Sequence, residues 1–154
     1  MAFRLLLTLH IFGAIVGLGP SFVWPVAGPV LAKAQPAAAL GILRLMKAVT
    51  SALIVPVVLV VQPLTGALLI FETGRDEGFF QYEWLWIAIA LYALTYVIFL
   101  VDLPNLRKQV HMLAEGRQGT PEFGAITKRT TINGVILGVL VTAIIFLMAW
   151  QPGE

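Results

Sequence analysis

Cysteine is absent from the 154-residue chain, and histidine occurs only twice. The lack of cysteine excludes disulfide bonds, thiolate metal sites, iron–sulfur clusters and cysteine nucleophiles. With two histidines, a zinc or copper centre of the usual histidine-rich kind is not expected. Few kinds of catalytic centre remain open to this chain.

Charged residues are also scarce. They make up 12% of the chain, against 59% hydrophobic residues, and the mean hydropathy is +0.92. Soluble domains are about one quarter charged and about half apolar, so a water-soluble globular enzyme is excluded. The chain also lacks a Ser-His-Asp set, paired intramembrane carboxylates, a phosphate-binding loop and a metalloprotease helix motif. We therefore expect no catalytic residue, and the absence of a nucleic-acid-binding patch predicts no nucleic acid partner.

Four long apolar runs dominate what is present. They cover residues 5–31, 49–71, 84–101 and 132–150. Because a membrane-spanning helix needs about 20 apolar residues, each run is long enough to cross a bilayer. Arg4 before the first run imitates a secretory signal, but the length of this run and its internal glycines and prolines favour a span. The predicted fold is all-α, a polytopic four-helix membrane bundle that forms a single domain over residues 1–154.

Lysine and arginine are distributed unevenly between the connections. The first and third connections carry eight of the ten: Lys33, Arg44, Lys47, Arg107, Lys108, Arg117, Lys128 and Arg129. Four of the eight acidic residues lie in the second connection, residues 72–83. By the positive-inside rule, both chain ends are predicted to lie outside the cytoplasm of a multi-pass membrane protein. The aromatic belt at the outer boundary is predicted to contain Tyr82, Trp84, Trp86 and Trp150.

Helices two and three are predicted to extend beyond the membrane on the cytoplasmic side. Pro36 suits the first turn of a helix, and residues 37–48 lead without a breaker into the second apolar run. The third run continues as far as Gly116, a residue typical of a helix C-terminus. Residues 116–131 are predicted to form a polar loop, with a turn or a short helix start at Pro121.

Small residues recur at helical spacing on the first and fourth runs. Gly13 and Gly17 form one small-xxx-small pair, and Gly134 and Gly138 form another. In lipid, such faces let helix backbones approach closely, so we expect helices one and four to pack as a pair. At 100° per residue, the face of the first pair also carries His10, Ser21 and Trp24. His10 is therefore predicted to point into the bundle.

Two prolines interrupt the second apolar run. Pro56 and Pro63 each free a backbone carbonyl one turn earlier. Gln62 and Thr65 are available to satisfy such local polar needs. The prolines indicate a structural kink or, alternatively, the hinge of a moving gate or ligand site. On helix three, a stripe of aromatic residues predicts core packing or, alternatively, a pigment or quinone contact: Tyr92, Tyr96 and Phe99.

His10 is the ionisable residue that lies well inside an apolar run. Intramembrane ionisable residues are functional candidates because their burial is costly. A neutral imidazole can bind haem iron or pass protons, and it can equally hydrogen-bond across helices. Met148 lies at a comparable depth if both chain ends are outside, which would allow a His10 and Met148 axial pair.

Asp102 stands at the cytoplasmic end of helix three. Arg44 and Lys47 lie near the start of helix two. We expect an ion pair between Asp102 and one of these cations, Arg44 first. The alternative is a carboxylate at which protons enter the membrane.

Three short segments share a pattern with a known family. They are Leu9-His10-Ile11, Pro63-Leu64-Thr65-Gly66 and Phe146-Leu147-Met148-Ala149-Trp150-Gln151-Pro152. The chain resembles a bacterial family of predicted four-helix integral membrane proteins of unknown function, which implies a location in the bacterial inner (plasma) membrane. That family is distantly similar to the HemJ type of protoporphyrinogen oxidase and to the CopD copper-resistance membrane domain. The resemblance implies a fold more than an activity.

The HemJ likeness implies a haem b ligand at one position. In that group an early histidine in helix one is associated with haem b, and His10 matches it. The HemJ group also has polar and basic residues in later helices, where this chain has neutral groups such as Gln62 and Thr65. A copper path of the CopD kind would need several Met and His residues facing one channel, and here they are scattered.

Three functions remain open from the sequence. The first is a structural or accessory subunit that docks on a larger membrane complex or on a copy of itself. The second is a haem b-binding redox protein with His10 as axial ligand. The third is a small transporter or lipid-handling protein that uses Pro56 and Pro63 as a hinge beside Gln62. The bilayer itself is the one partner common to all three.

Overall fold

A computed structural model describes residues 1–153 of the protein, with Trp24 described by its backbone only. These residues form helices and turns, without a β-strand. Four helical stretches are long and apolar enough to cross a membrane: span 1, Ala2–Phe22; span 2, Pro36–Glu72; span 3, Glu83–Ala114; and span 4, Pro121–Trp150. This confirms the predicted all-α architecture with four spans. The place predicted for the Trp24 side chain lies outside the described residues.

The first apolar run is divided in two. Helix α1 covers Ala2–Leu18, a 3₁₀ turn covers Gly19–Phe22, and helix α2 covers Trp24–Lys33. Pro20 within the turn lacks the N–H that a continuous α-helix would use, which explains the tightening there. At the end of α2, the Gln118 side-chain amide donates to the carbonyl oxygens of Leu31 and Ala34, at 3.2 Å each. These bonds satisfy carbonyls that a helix C-terminus otherwise leaves unpaired.

Span 2 contains two wide turns. Helix α3 covers Pro36–Val49, π-helical turns cover Thr50–Ile54 and Val57–Val61, and helix α4 covers Gln62–Glu72. Each π turn ends two residues before a proline: the Val55 N–H donates to the Thr50 carbonyl, and the Gln62 N–H donates to the Val57 carbonyl. Since a proline ring crowds the helix one turn earlier, the local widening to i→i−5 bonds accompanies both prolines.

Spans 3 and 4 are single helices. Helix α5 covers Glu83–Ala114 with Pro104 inside it, and helix α6 covers Pro121–Trp150. The predicted polar loop over residues 116–131 is therefore wrong beyond Thr120. Thr120 caps α6 by accepting from the Phe123 N–H at 3.3 Å, and Pro121 occupies the first turn. The polar residues after Pro121 lie along a helix that starts outside the apolar region, so their polarity alone did not reveal the helix.

In the second connection, which joins spans 2 and 3, a cationic side chain stacks on aromatic rings at the start of span 3. Gly74 and Gly78 adopt positive φ values of 68° and 77°, which glycine permits in tight turns. The Arg75 guanidinium lies 5.6 Å from the ring centroids of both Tyr82 and Trp84. Within the predicted aromatic belt, Trp84 is buried beneath this loop while Trp86 is exposed.

Two apolar clusters hold the helices together at different levels. The cluster in the middle of the spans contains Leu18, Ile54, Val58 and Val141, with Tyr92, Tyr96 and Phe99 packed against it. The cluster at the basic end contains Leu31, Ala39, Leu43, Leu106, Met112, Leu113 and Phe123. Spans 2 to 4 have 37, 32 and 30 residues. At 1.5 Å per residue they are about 45 to 55 Å long, so they exceed a hydrocarbon core of about 30 Å.

The expected close pair of helices one and four forms only over the second part of the first apolar run, where residues 19–33 pack on span 4. A Cβ atom added to Gly17 would meet the side chains of Val57 and Val58, so the glycine face of α1 packs on span 2. Span 4 packs instead on the chain that follows α1, because the same test at Gly138 meets Phe22 and the Ser21 carbonyl. Small residues permit close approach to any helix and do not specify which one.

Candidate functional site

Three polar side chains meet between spans 1 and 2. The Nδ1 atom of His10 lies 3.0 Å from the Thr65 hydroxyl oxygen, and its Nε2 atom lies 3.2 Å from the Gln62 amide nitrogen. Gln62 and Thr65 are buried, and His10 is partly buried. The prediction that His10 points into the bundle is confirmed. We refer to His10, Gln62 and Thr65 as the polar cluster.

Hydrogen-bond chemistry determines which atoms in the polar cluster carry the protons. The Gln62 amide nitrogen can only donate, so His10 Nε2 accepts. His10 Nδ1 then carries the proton and donates to the Thr65 hydroxyl, which itself donates to the Val61 carbonyl at 2.7 Å. The imidazole is neutral in this arrangement, and both its nitrogens are engaged.

Two glycines leave the room that the polar cluster occupies. A Cβ atom added to Gly13 would lie 2.6 Å from the Gln62 amide oxygen, and one added to Gly66 would lie 3.1 Å from His10 Cε1. The Gln62 amide oxygen is buried and has no hydrogen-bond partner among the described residues. Gly13 therefore serves close packing of α1 on span 2, and the polar cluster retains one unused acceptor.

The π turn before Pro63 determines where Gln62 and its neighbours point. In a regular helix the Gln62 N–H would bond the Val58 carbonyl, but here it bonds Val57, and Pro63 has no N–H to offer. The freed Val58 carbonyl accepts instead from the Tyr92 hydroxyl on span 3, at 2.5 Å. The sequence predicted a freed carbonyl at this proline, but it did not identify Tyr92 as the donor.

Haem ligation by His10 would require a free ring nitrogen, because iron binds the lone pair that a ring nitrogen otherwise uses for hydrogen bonding. In the structure His10 Nε2 accepts from Gln62, and Nδ1 carries the proton. The residues around His10 therefore do not fit a haem in this arrangement. Met148 is partly buried, and no described interaction joins it to His10. Haem binding by His10 and Met148 stays a prediction that needs His10 to leave the polar cluster.

Asp102 forms a second intramembrane polar contact, with neutral partners. Its Oδ1 atom accepts from the side-chain amides of Asn133, at 2.8 Å, and Asn105, at 3.0 Å. The predicted ion pair with Arg44 is not formed: within residues 1–153 no cation lies in salt-bridge range of Asp102, and Arg44 is exposed. The physical reason is that Asn133 of span 4 reaches the carboxylate, whereas Arg44 lies about two turns beyond Thr50. The sequence signal that was available is Asn133 itself, a lone amide within an apolar run.

A small cavity adjoins Asp102. Its volume is about 40 Å³, and Gly134 of the predicted packing pair lies at its wall. The lining residues are Thr50, Phe99, Asp102, Leu103, Leu106, Gln109, Thr130, Gly134 and Leu137. A cavity of this size holds a water molecule. Gly134 is thus buried at this level, while Gly138 lies one turn away against Phe22.

The described residues contain no group of three or more His, Cys, Asp or Glu side chains that could hold a metal ion. No curated protein and no solved structure matches the chain. A family model does match it: the family described as "Predicted integral membrane protein (DUF2269)", over residues 4–152. The match covers almost the entire chain and agrees with the four membrane-length helices. The protein therefore belongs to the DUF2269 family of predicted integral membrane proteins.

Proposed function

We propose that the protein is a structural subunit of a membrane assembly, which associates laterally with a second copy of itself or with a larger membrane complex. The observation that carries this proposal is an open groove between span 4 and the turn that joins α1 to α2. It measures about 860 Å³. Its walls consist of Ser21, Phe22, Pro25, Val135, Gly138, Val139, Thr142, Ala143, Phe146 and Leu147.

The chemistry of this groove supports helix association. Gly138 is already covered by Phe22, so the small residues of α6 that face the groove are Thr142, which is exposed, and Ala143, which is partly buried. Small residues allow a second helix backbone to approach closely in lipid. The Thr142 hydroxyl donates to the Gly138 carbonyl at 2.8 Å. An incoming helix therefore does not have to satisfy that hydroxyl, and packing contacts alone decide the affinity.

The use of the intramembrane polar groups supports the same proposal. His10, Thr65 and Tyr92 all bond neighbouring helices or turns within the chain. Their hydrogen bonds hold spans 1, 2 and 3 in register, which is the work of a scaffold. A subunit of this kind needs no reacting group.

Self-association is tested by the mass of the protein in mild detergent and in lipid nanodiscs. We expect a dimer or larger species for the wild-type chain, and a shift toward monomer for Thr142→Leu, which fills the exposed wall of the groove. Ala93→Leu places the same side chain on the exposed face of span 3, outside the groove, and should leave the mass unchanged. A chain that is a stable monomer in both media, and that retains no partner from its native membrane, would contradict the proposal.

A second candidate, a small transporter, is favoured by one observation. Gln62 stands at the junction of the π turn Val57–Val61 and helix α4, and its buried amide oxygen has no hydrogen-bond partner in the part of the chain that the structure describes. Broken helices of this kind can form substrate sites. Its test is the reaction of a Gln62→Cys variant with a small water-soluble thiol reagent. Rapid labelling would favour transport, and protection would favour the scaffold.

A further inference from the structure

Six basic side chains at one end of the bundle have no acidic partner among the described residues, and all six are exposed. One is Lys33 at the end of α2, and the other five lie on spans 2 to 4: Arg44, Lys47, Arg107, Lys128 and Arg129. Within residues 1–153, the acidic groups of this end are used by other cations: Glu122 lies 2.6 Å from both Lys108 and Arg117, and Glu115 bonds Arg117. Asp102 is held by two asparagine amides. The five unpaired cations of spans 2 to 4 are called the basic belt.

Hydrogen bonds between spans 3 and 4 place three members of the basic belt at one level. Asp102 bonds Asn133, which sets the register of the two antiparallel helices. Arg107 lies five residues beyond Asp102 toward the basic end, about 7.5 Å along the helix. Lys128 and Arg129 lie five and four residues beyond Asn133, about 6 to 7.5 Å. A second bond, from Gln109 to Thr127 at 3.0 Å, confirms the register.

Span 2 brings the other two cations toward the same level. Thr50 lines the cavity that Asp102 and Gln109 also line. Lys47 and Arg44 lie three and six residues from Thr50 toward the basic end, about 4.5 and 9 Å along the helix. The basic belt thus draws on three helices within a depth of less than about 10 Å.

The distance to the opposite aromatic residues matches the thickness of a bilayer. On span 3, Trp86 and Arg107 are 21 residues apart, and on span 4 Arg129 and Trp150 are also 21 residues apart. At 1.5 Å per residue each separation is about 32 Å, close to a hydrocarbon core of about 30 Å. Trp86 and Trp150 are exposed, as interfacial tryptophans are. The basic belt therefore lies at the headgroup level of one leaflet.

We propose that the basic belt binds the phosphate groups of anionic phospholipids. Unpaired lysine and arginine side chains at this depth attract anionic headgroups, and each cation strengthens the attraction about fivefold. Arginine in addition forms paired hydrogen bonds with phosphate oxygens. The missing Arg44–Asp102 ion pair is part of this arrangement, because amide donors satisfy Asp102 and leave Arg44 available to lipid.

The experiment uses the purified full chain in mild detergent, so that the orientation in a membrane plays no part. Micelles are titrated with phosphatidylglycerol or with phosphatidylcholine, and the midpoint of thermal unfolding is recorded. We expect saturable stabilisation by phosphatidylglycerol that weakens at high salt. Lys128→Gln with Arg129→Gln should lower the apparent affinity about 25-fold. Arg4→Gln with Lys33→Gln changes the net charge equally outside the belt and should leave the affinity within about twofold.

Each other outcome counts against the proposal. Equal stabilisation by the two lipids, or equal losses in the two double variants, would show that the basic belt does not select anionic headgroups. Equal stabilisation by inorganic phosphate at the same concentration would assign the belt to a soluble anion. If the Lys128 and Arg129 double variant does not fold, Arg107→Gln alone, compared with Arg4→Gln alone, provides the same test with an expected loss of about fivefold.

Discussion

The Tyr92 hydroxyl on span 3 donates to the Val58 carbonyl on span 2 at 2.5 Å. That carbonyl is free because the Gln62 N–H bonds Val57 and Pro63 has no N–H. One hydrogen bond between helices thus repairs the defect that a proline makes in its own helix. The same π turn carries Gln62 toward His10, so the polar cluster and this bond have a common origin.

Removal of the Tyr92 hydroxyl should leave the Val58 carbonyl unpaired. We expect Tyr92→Phe to lower the free energy of unfolding in mild detergent by about 1 kcal/mol. Tyr96→Phe is the matched control, because no described group bonds the Tyr96 hydroxyl. In a Pro63→Ala background the restored N–H can reach the Val58 carbonyl, so the loss from Tyr92→Phe should shrink. An unchanged loss in that background would argue against the repair.

A side chain at Gly13 should displace the amide of Gln62. Because an added Cβ would lie 2.6 Å from the Gln62 amide oxygen, the amide must turn and weaken its bond to His10, so we expect Gly13→Ala to destabilise the protein by about 1 kcal/mol. At Gly41, also inside a helix, an added Cβ meets nothing within 4 Å. Gly41→Ala should therefore stabilise by about 0.5 to 1 kcal/mol. The free energies of unfolding of the two variants are compared with that of the wild type. A change of the same sign in both variants would contradict this packing.

Replacement of His10 separates a structural role from haem ligation. We expect His10→Ala to destabilise the protein by about 1 to 3 kcal/mol, since the Gln62 amide and the Thr65 hydroxyl lose their partner. The absorption spectrum of protein expressed with added haem, oxidised and then reduced with dithionite, tests the alternative. A Soret band that shifts on reduction and is missing in His10→Ala would establish haem ligation and reject the purely structural role.

Because Asp102 bonds two asparagine amides, we expect the stability of the protein to depend on Asp102 and not on the charge of Arg44. Asp102→Ala should cost about 1.5 to 3 kcal/mol, because the Asn105 and Asn133 amides lose a charged acceptor. Arg44→Gln should change stability by less than about 0.5 kcal/mol in lipid-free detergent. A double-mutant cycle between Asp102→Ala and Asn133→Ala should show coupling, and the cycle with Arg44→Gln should show none. Coupling to Arg44 would restore the ion pair expected from sequence.

The orientation of the chain is open to labelling because the protein has no cysteine. If both ends lie outside the cytoplasm, as the distribution of lysine and arginine predicts, a membrane-impermeant maleimide should label Asp76→Cys in intact bacterial cells that express the variant. Gly119→Cys, at the basic end, should react only after permeabilisation. The reverse pattern would place the basic belt on the outer side.

The number and the approximate limits of the spans followed from the sequence, because a run of about 20 apolar residues is long enough to cross the hydrocarbon core of a bilayer as a helix. The inward direction of His10 was predictable for a similar reason, since an imidazole facing lipid is costly. Small-residue periodicity also revealed which side of α1 packs closely. These inferences depend on the local character of one helix.

Only the tertiary structure decided which surfaces meet. A glycine face accepts any neighbour, and here Gly13 and Gly17 met span 2 in place of span 4. The π turns shift the helical phase by one residue at Pro56 and Pro63, so a uniform 100° per residue cannot place Gln62 against His10. The choice of Asn133 over Arg44 for Asp102 depends on the register of α5 and α6. Contacts between distant segments depend on how all four spans pack together, and this packing cannot be read from the sequence of one helix.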